Sequence, residues 1–191
     1  MSWDTSIKGF KSYLQIERSL SDNSVQAYTR DIRKFANYAI PLELSELKIT
    51  RENISNFLSE IKDEGISARS QARIISGIKA FYKYLIMEDY LKINPTELIE
   101  SPKIGFKLPD TLSLIEIDKL ITAIDLSNKQ GERNRSILET LYSCGLRVSE
   151  LVNLQLSNTH FKEGYLRVIG KGDKERLAPI GDRAIKYLTI Y

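Results

Sequence analysis

Apolar positions in the first hundred residues recur every three to four places, the period of a helix packed by one face. Val25, Tyr28, Ile32, Phe35 and Ala39 make one such stripe, and Ile74, Ile75, Ile78, Phe81, Tyr82 and Leu85 make another. The pattern predicts helices near residues 4–18, 22–39, 50–64 and 67–88, with a short one near 95–99. Start and stop signals agree with these spans. Ser21 and Asp22 open the second helix, Thr50 the third with Glu52 in its first turn, and Ser67 the fourth. Pro41 and Gly65 stand just past the ends of the second and third.

The period fails over residues 101–112, Ser-Pro-Lys-Ile-Gly-Phe-Lys-Leu-Pro-Asp-Thr-Leu, where two prolines and a glycine break any regular element. This segment is the expected linker between domains at residues 1–100 and 113–191. Beyond it, Ser113 and Glu116 are spaced as a capping box, and Leu114, Ile117, Leu120, Ile121 and Ile124 form a helical stripe. Further helices are predicted near 132–143, ended by Gly145, and near 147–154. The period then shortens. Tyr165–Ile169 and Glu175–Ile180 read as strands, with Gly170-Lys-Gly-Asp-Lys174 as a hairpin turn, and a last helix starts at Asp182. The expected fold class is mainly α: an all-α N-terminal helical bundle, a linker, and a truncated α+β domain carrying a β-hairpin. The chain stops with its last helix barely begun, so the expectation is a fragment of a larger domain.

Composition removes several function classes. Hydrophobic residues are 42% and charged residues 28% of the 191, the ordinary balance of a globular protein. No window approaches the run of about 18 apolar residues that a membrane span needs. The start lacks the basic and apolar regions of a secretory signal, so the cytoplasm is the expected compartment. One cysteine, Cys144, and one histidine, His160, argue against an internal disulfide and a multi-cysteine metal site, and no metal or cofactor is expected. Cys144 reads as a core residue, and the ten tyrosines as packing residues at helical spacing.

Net charge is +3, too small to imply a nucleic-acid partner, but its distribution is uneven. Between Glu64 and Glu88 there is no acid, while Arg69, Arg73, Lys79 and Lys83 occur. At 100° per residue, Arg69, Arg73, Ser76 and Lys83 fall within about 40° of one direction, opposite the apolar stripe, with Lys79 at the flank. The second helix repeats the arrangement with Gln26, Arg30, Arg33 and Lys34, and Asp31 as the one acid among them. Such faces suit the phosphates and major groove of double-stranded DNA. Any solvated helix face also carries Lys and Arg, so this signal does not stand alone.

Two motifs in the second half carry chemistry. Arg147 follows Gly145 at the start of a helix, where a guanidinium can grip a phosphate with two N–H groups. Lys171, between Gly170 and Gly172 at the tip of the hairpin, can protonate a departing oxygen. Each is bland by itself: an Arg at a helix start is usually a surface residue, and Gly-Lys-Gly is usually a turn. A phosphate-binding loop is excluded by spacing, since Gly172 stands where Ser or Thr is needed.

Together these strings resemble a known family. Gly145-Leu-Arg-Val-Ser-Glu-Leu151 and Val168-Ile-Gly-Lys-Gly-Asp-Lys-Glu-Arg-Leu-Ala-Pro179 are similar to the first arginine box and the hairpin lysine box of the tyrosine-family site-specific recombinases, the phage integrase family, of XerC/XerD type. Leu20–Phe35, Ala80–Leu85, Asn94-Pro95, Ser101-Pro-Lys103 and Leu108-Pro109 resemble its SAM-like core-binding domain and the linker after it. The resemblance implies a metal-free exchange of DNA strands through a 3′-phosphotyrosyl intermediate. It implies Arg147 and Lys171 as catalytic groups, with Glu150 supporting Arg147 by pairing. Gln26, Arg30, Arg33, Lys34, Arg69, Arg73, Ser76, Lys79, Lys83 and Lys103 are the expected DNA contacts. Expected partners are a duplex recombination site and further recombinase subunits, as a tetramer on DNA, in chromosome-dimer resolution or mobile-element integration.

The family's later His-x-x-Arg box and nucleophilic tyrosine are not found. His160 is followed by Glu163 where arginine is required, and reads as a loop residue. Tyr187 and Tyr191 come too soon after Lys171 to be the nucleophile. The chain alone is therefore expected to bind DNA without cutting it. The alternatives are a non-catalytic DNA-binding regulator of a recombination site, and a helical interaction domain with no nucleic-acid partner.

Overall fold

The first helix, α1 (Trp3–Ile16), begins where the Ser2 hydroxyl accepts the N–H of Thr5. In the computed structural model, which describes residues 2–105, 108–170 and 172–191, the chain divides into two compact units, Met1–Lys107 and Leu108–Tyr191.

The first unit is four helices: α1, α2 (Asp22–Ala39), α3 (Arg51–Asp63) and α4 (Ala68–Met87). Their apolar stripes meet in one core of large aromatic groups. Phe10, Phe35, Phe57, Phe81 and Tyr82 are all but sealed from solvent. Trp3 stacks on Phe81 at 5.9 Å, and Phe10 meets Phe81 edge-on at 5.4 Å. Residues of this kind cost about 3–5 kcal/mol each when truncated to alanine, which makes this cluster the main source of the unit's stability. Among its buried polar groups, Trp3 Nε1 donates to the Leu44 carbonyl at 2.9 Å and the Ser6 hydroxyl donates to Glu46 Oε1 at 2.9 Å, while the Thr29 hydroxyl has no partner among the described residues. Thr50 and Asn53 cap α3 reciprocally, and Pro41 sits in a single 3-10 turn after α2.

The expected helix over 95–99 does not form. Asn94 Oδ1 accepts both the backbone N–H of Thr96, at 2.9 Å, and its hydroxyl, at 2.7 Å, and the segment turns. The backbone bonds that follow span three residues, Glu97 N–H to the Asn94 carbonyl at 3.4 Å and Ile99 N–H to the Thr96 carbonyl at 3.1 Å, so the segment closes as turns.

Helices α2 and α4 pack closely enough for a buried ion pair. A Cβ at Gly77 of α4 would stand 3.2 Å from the Asp31 Cβ of α2, so glycine is what admits the approach. Asp31 is 3% exposed and accepts a hydrogen bond from Arg73 Nη1. The expectation that Asp31 is the one exposed acid of the basic face is thus corrected: its carboxylate faces α4.

The second unit carries α5 (Leu114–Thr122), α6 (Gly131–Cys144), α7 (Val148–Val152) and α8 (Asp182–Ile190), with the antiparallel strands β1 (Thr159–His160), β2 (Tyr165–Ile169) and β3 (Glu175–Pro179) in that order across the sheet. Leu166 pairs with Ala178 and Val168 with Arg176. Alternation along β2 turns Leu166 and Val168 inward onto Cys144, Leu146, Ala178, Ile180 and Ala184. Arg183 of α8 fastens α8 to two other helices, donating to Glu139 Oε1 at 2.7 Å and to Asp118 Oδ1 at 2.9 Å.

Two expectations fail in this unit. The α5 stripe buries Ile121 but leaves Leu114 and Leu120 exposed, because within its own unit the helix packs mainly on α6. His160 is a strand residue rather than a loop residue, paired with Tyr165 across β1 and β2 with the two rings stacked 4.6 Å apart. No helix is long and apolar enough to cross a membrane among the described residues.

Candidate functional site

Arg147 stands at the N-cap of α7, in extended conformation (φ −74°, ψ 152°), two residues after the left-handed Gly145 that ends α6. One turn on, the Glu150 side chain is 2% exposed, yet it is the most heavily shared group of the unit. Its Oε2 accepts the backbone N–H of Arg147 at 2.9 Å and Arg176 Nη2 at 2.9 Å, while its Oε1 accepts Arg147 Nη1 at 2.8 Å. The first of these bonds satisfies one of the free N–H groups of the helix start. Arg176, on β3, also reaches the Gly145 carbonyl at 3.4 Å. The hairpin closes over this cluster. A Cβ at Gly170 would lie 3.2 Å from Glu150 Oε1 and 3.9 Å from Arg147 Nη1, so any side chain here would crowd the carboxylate. The Gly170 N–H donates to the Lys174 carbonyl at 2.8 Å across the turn. Lys171, which follows Gly170, lies outside the described residues.

The electrostatics follow from this geometry. The Arg147 N–H, with the two guanidinium groups, holds the Glu150 carboxyl down at about 2, against the opposing effect of its desolvation. The Arg147 side chain remains 70% exposed and that of Arg176 41% exposed. One buried anion therefore anchors two cations whose outer N–H groups face solvent, a net positive corner suited to an oxyanion. A carboxyl lowered in the folded state stabilises above its ordinary pKa of 4.5 and loses that contribution as pH falls towards 2. Between about pH 5 and about pH 2.5 the unaltered chain should therefore lose more stability than Glu150→Gln in denaturant titrations, and parallel losses would deny the carboxylate its role.

Sequence reasoning did not single out Arg176, although it lies within the lysine-box string Val168–Pro179. A usable signal was present: Val168 pairs with Arg176 on a five-residue hairpin, placing the arginine beside the box that holds Glu150. Cys144 lies beside the cluster, buried at 7% exposure, with its thiol pushed up by desolvation.

The expected DNA contacts are distributed over the first unit. Gln26, Arg30 and Arg33 of α2 are exposed, as are Arg69, Arg73, Ser76 and Lys83 of α4 and Lys103 beyond it. Lys79 is half-buried at the flank. Two of the cations already have partners: Lys34 Nζ donates to Glu64 Oε2 at 2.8 Å, and Arg73 holds Asp31. The Ser76 hydroxyl donates to the Ala72 carbonyl at 3.0 Å. Burial pushes the Asp31 carboxyl up despite the pull of Arg73, so Arg73 offsets a desolvation cost as well as presenting charge.

Residues 7–89 match the family described as phage integrase, N-terminal SAM-like domain, and residues 111–191 match the phage integrase family itself. The chain belongs to this family, the tyrosine recombinases. Among curated proteins it is 43% identical over 189 residues to tyrosine recombinase XerD of Staphylococcus aureus, a match covering 98% of this chain and 64% of that protein. It thus spans less than two thirds of the length of that relative. Among solved structures the fold is similar to a lambda integrase dimer bound to a COC′ core site (TM-score 0.78, 20% identity, all of this chain and 54% of that one). It is also similar to XerH recombinase bound to a palindromic difH substrate (TM-score 0.71, 21% identity, 95% and 55%).

Proposed function

We propose that the protein takes part in site-specific DNA recombination, gripping duplex DNA with the outer faces of α2 and α4 and presenting Arg147 to a backbone phosphate. The observation that carries this reading is the corner at the start of α7, where Glu150 fixes an exposed guanidinium that has no other hydrogen-bond partner among the described residues. An arginine so held meets the charge that grows on the non-bridging oxygens as a nucleophile adds to phosphorus. Lys171, assigned on its place in the hairpin sequence, then delivers a proton to the departing 5′-oxygen. The nucleophile is the tyrosine that the family resemblance implies, which is not among the residues assigned to the site in this chain. Its oxygen bonds to phosphorus as the 5′-oxygen leaves, and reversal with a new 5′-hydroxyl rejoins the strand. The work falls on chromosome-dimer resolution or mobile-element integration, with further recombinase subunits assembled as a tetramer on the DNA.

DNA binding is tested on the chain itself. Its affinity for duplex DNA should fall linearly in log–log fashion with salt, by about 0.9 for each phosphate neutralised. Arg69→Ala and Lys83→Ala should each reduce that slope by about one with little dependence on sequence. Neither side chain has an ion-pair partner among the described residues, so these substitutions leave the fold untouched. Fluorescence anisotropy over a salt series reads both effects. Salt-independent binding, or unchanged slopes in both variants, removes α4 from the interface.

A further inference from the structure

Arg147 can serve a phosphate only with the N–H groups that Glu150 leaves open, and the structure shows what limits Glu150. A carboxylate can take two parallel N–H bonds from one guanidinium, an arrangement stronger than a single contact. Glu150 and Arg147 do not adopt it. Of the guanidinium's donors only Nη1 reaches the carboxylate, at Oε1, because Oε2 is occupied from one side by the Arg147 backbone N–H and from the other by Arg176 Nη2. The hairpin passes beside Oε1 at Gly170, where an added Cβ would stand 3.2 Å from it.

We propose that Arg176 is a positioning residue for Arg147: by occupying Oε2 of Glu150 from strand β3, it restricts Arg147 to a single contact and keeps the rest of its guanidinium available to a phosphate. Without Arg176, the freed Oε2 lone pair accepts a second guanidinium N–H from Arg147, and the fork turns inward onto its own helix. Arg176 also reaches the Gly145 carbonyl, so the same side chain joins the end of α6, the start of α7 and the hairpin. The orientation of Arg147 is thereby coupled to the strand that follows Lys171. This inference rests on the reading of Arg147 as a phosphate ligand.

The test uses the full chain with its arginine side chains labelled by nitrogen-15, titrated with inorganic phosphate and read at the Arg147 guanidinium by NMR. Arg176→Ala should weaken phosphate at Arg147 by about tenfold, the scale of one charge-assisted hydrogen bond. Arg176→Lys, which keeps a charged donor for Oε2, should remain within about twofold of the unaltered chain. Lys174→Ala removes a nearby positive charge without touching Glu150 and should also stay within about twofold, which separates positioning from plain charge loss. Should the alanine variant not fold, Arg176→Gln is read by the same criterion, with a loss of at least about threefold expected. A loss in Arg176→Ala or Arg176→Gln no greater than in Lys174→Ala overturns the positioning role while leaving Arg147 as a phosphate ligand. No phosphate response at Arg147 in the unaltered chain overturns both.

Discussion

In a form of this protein spanning the full length of its relatives, Arg147→Ala should lower the rate of DNA strand cleavage by about 10²–10³-fold, the usual result of deleting one preorganised donor to a developing oxyanion. Binding to the same duplex should weaken by less than about threefold, since phosphate contacts spread over two helices supply most of the affinity. The asymmetry follows from the site. On the proposed function Arg147 would meet charge that exists only as the phosphorus becomes five-coordinate, whereas Arg30, Arg33, Arg69 and Lys83 would meet charge that is always present. Arg147→Lys should recover little, because an ammonium is a point charge and cannot reproduce a planar fork anchored on Glu150. Single-turnover cleavage against anisotropy on one duplex gives the comparison. Equal losses in rate and binding would reduce Arg147 to a positioning contact.

The helices of the first unit were legible because each apolar stripe has to be buried, and the caps at Thr50, Ser67 and Ser113 all form. Over so short a span periodicity misleads: residues 95–99 close as turns with three-residue bonds such as Ile99 N–H to the Thr96 carbonyl. The two-residue strand β1 left no trace, since a pair of residues has no period. For the site, the Arg147–Glu150 pairing was implied by the family resemblance, and the two side chains do meet one turn apart. Arg176 was not, because its position depends on strand register and on a hairpin passing over Gly170. The same holds for Asp31. At 100° per residue it lies about 40° from Phe35 and 100° from Arg30, on the flank of the apolar stripe, and the close approach at Gly77 makes it a buried partner of α4.

That burial changes what Arg73 reports. Arg73→Ala leaves the Asp31 carboxylate, 3% exposed, without its partner, and should destabilise the protein by about 1–3 kcal/mol, the cost of a buried polar group left unpaired. A loss of DNA affinity in this variant would then mix a missing contact with a weakened α2–α4 junction. The two separate by pH. Burial already raises the Asp31 carboxyl above its ordinary 3.8, and removing Arg73 raises it further. Over the window between the unfolded value and the raised one, the folded state binds more protons, so stability grows as pH falls. The deficit of Arg73→Ala should therefore be largest near neutrality and shrink as pH falls towards 3.8, through the range in which the raised carboxyl takes up its proton. Adding Asp31→Asn should restore much of the lost stability at neutral pH, because a neutral amide carries no charge to compensate. DNA affinity should stay low in the double variant if Arg73 contacts phosphate, and recover with stability if it does not. Denaturant midpoints for the four chains of the Asp31 and Arg73 cycle, measured near neutrality and in acid, decide the structural part. A deficit that does not change with pH would show that Arg73 stabilises through the packing of its aliphatic stem and not through Asp31.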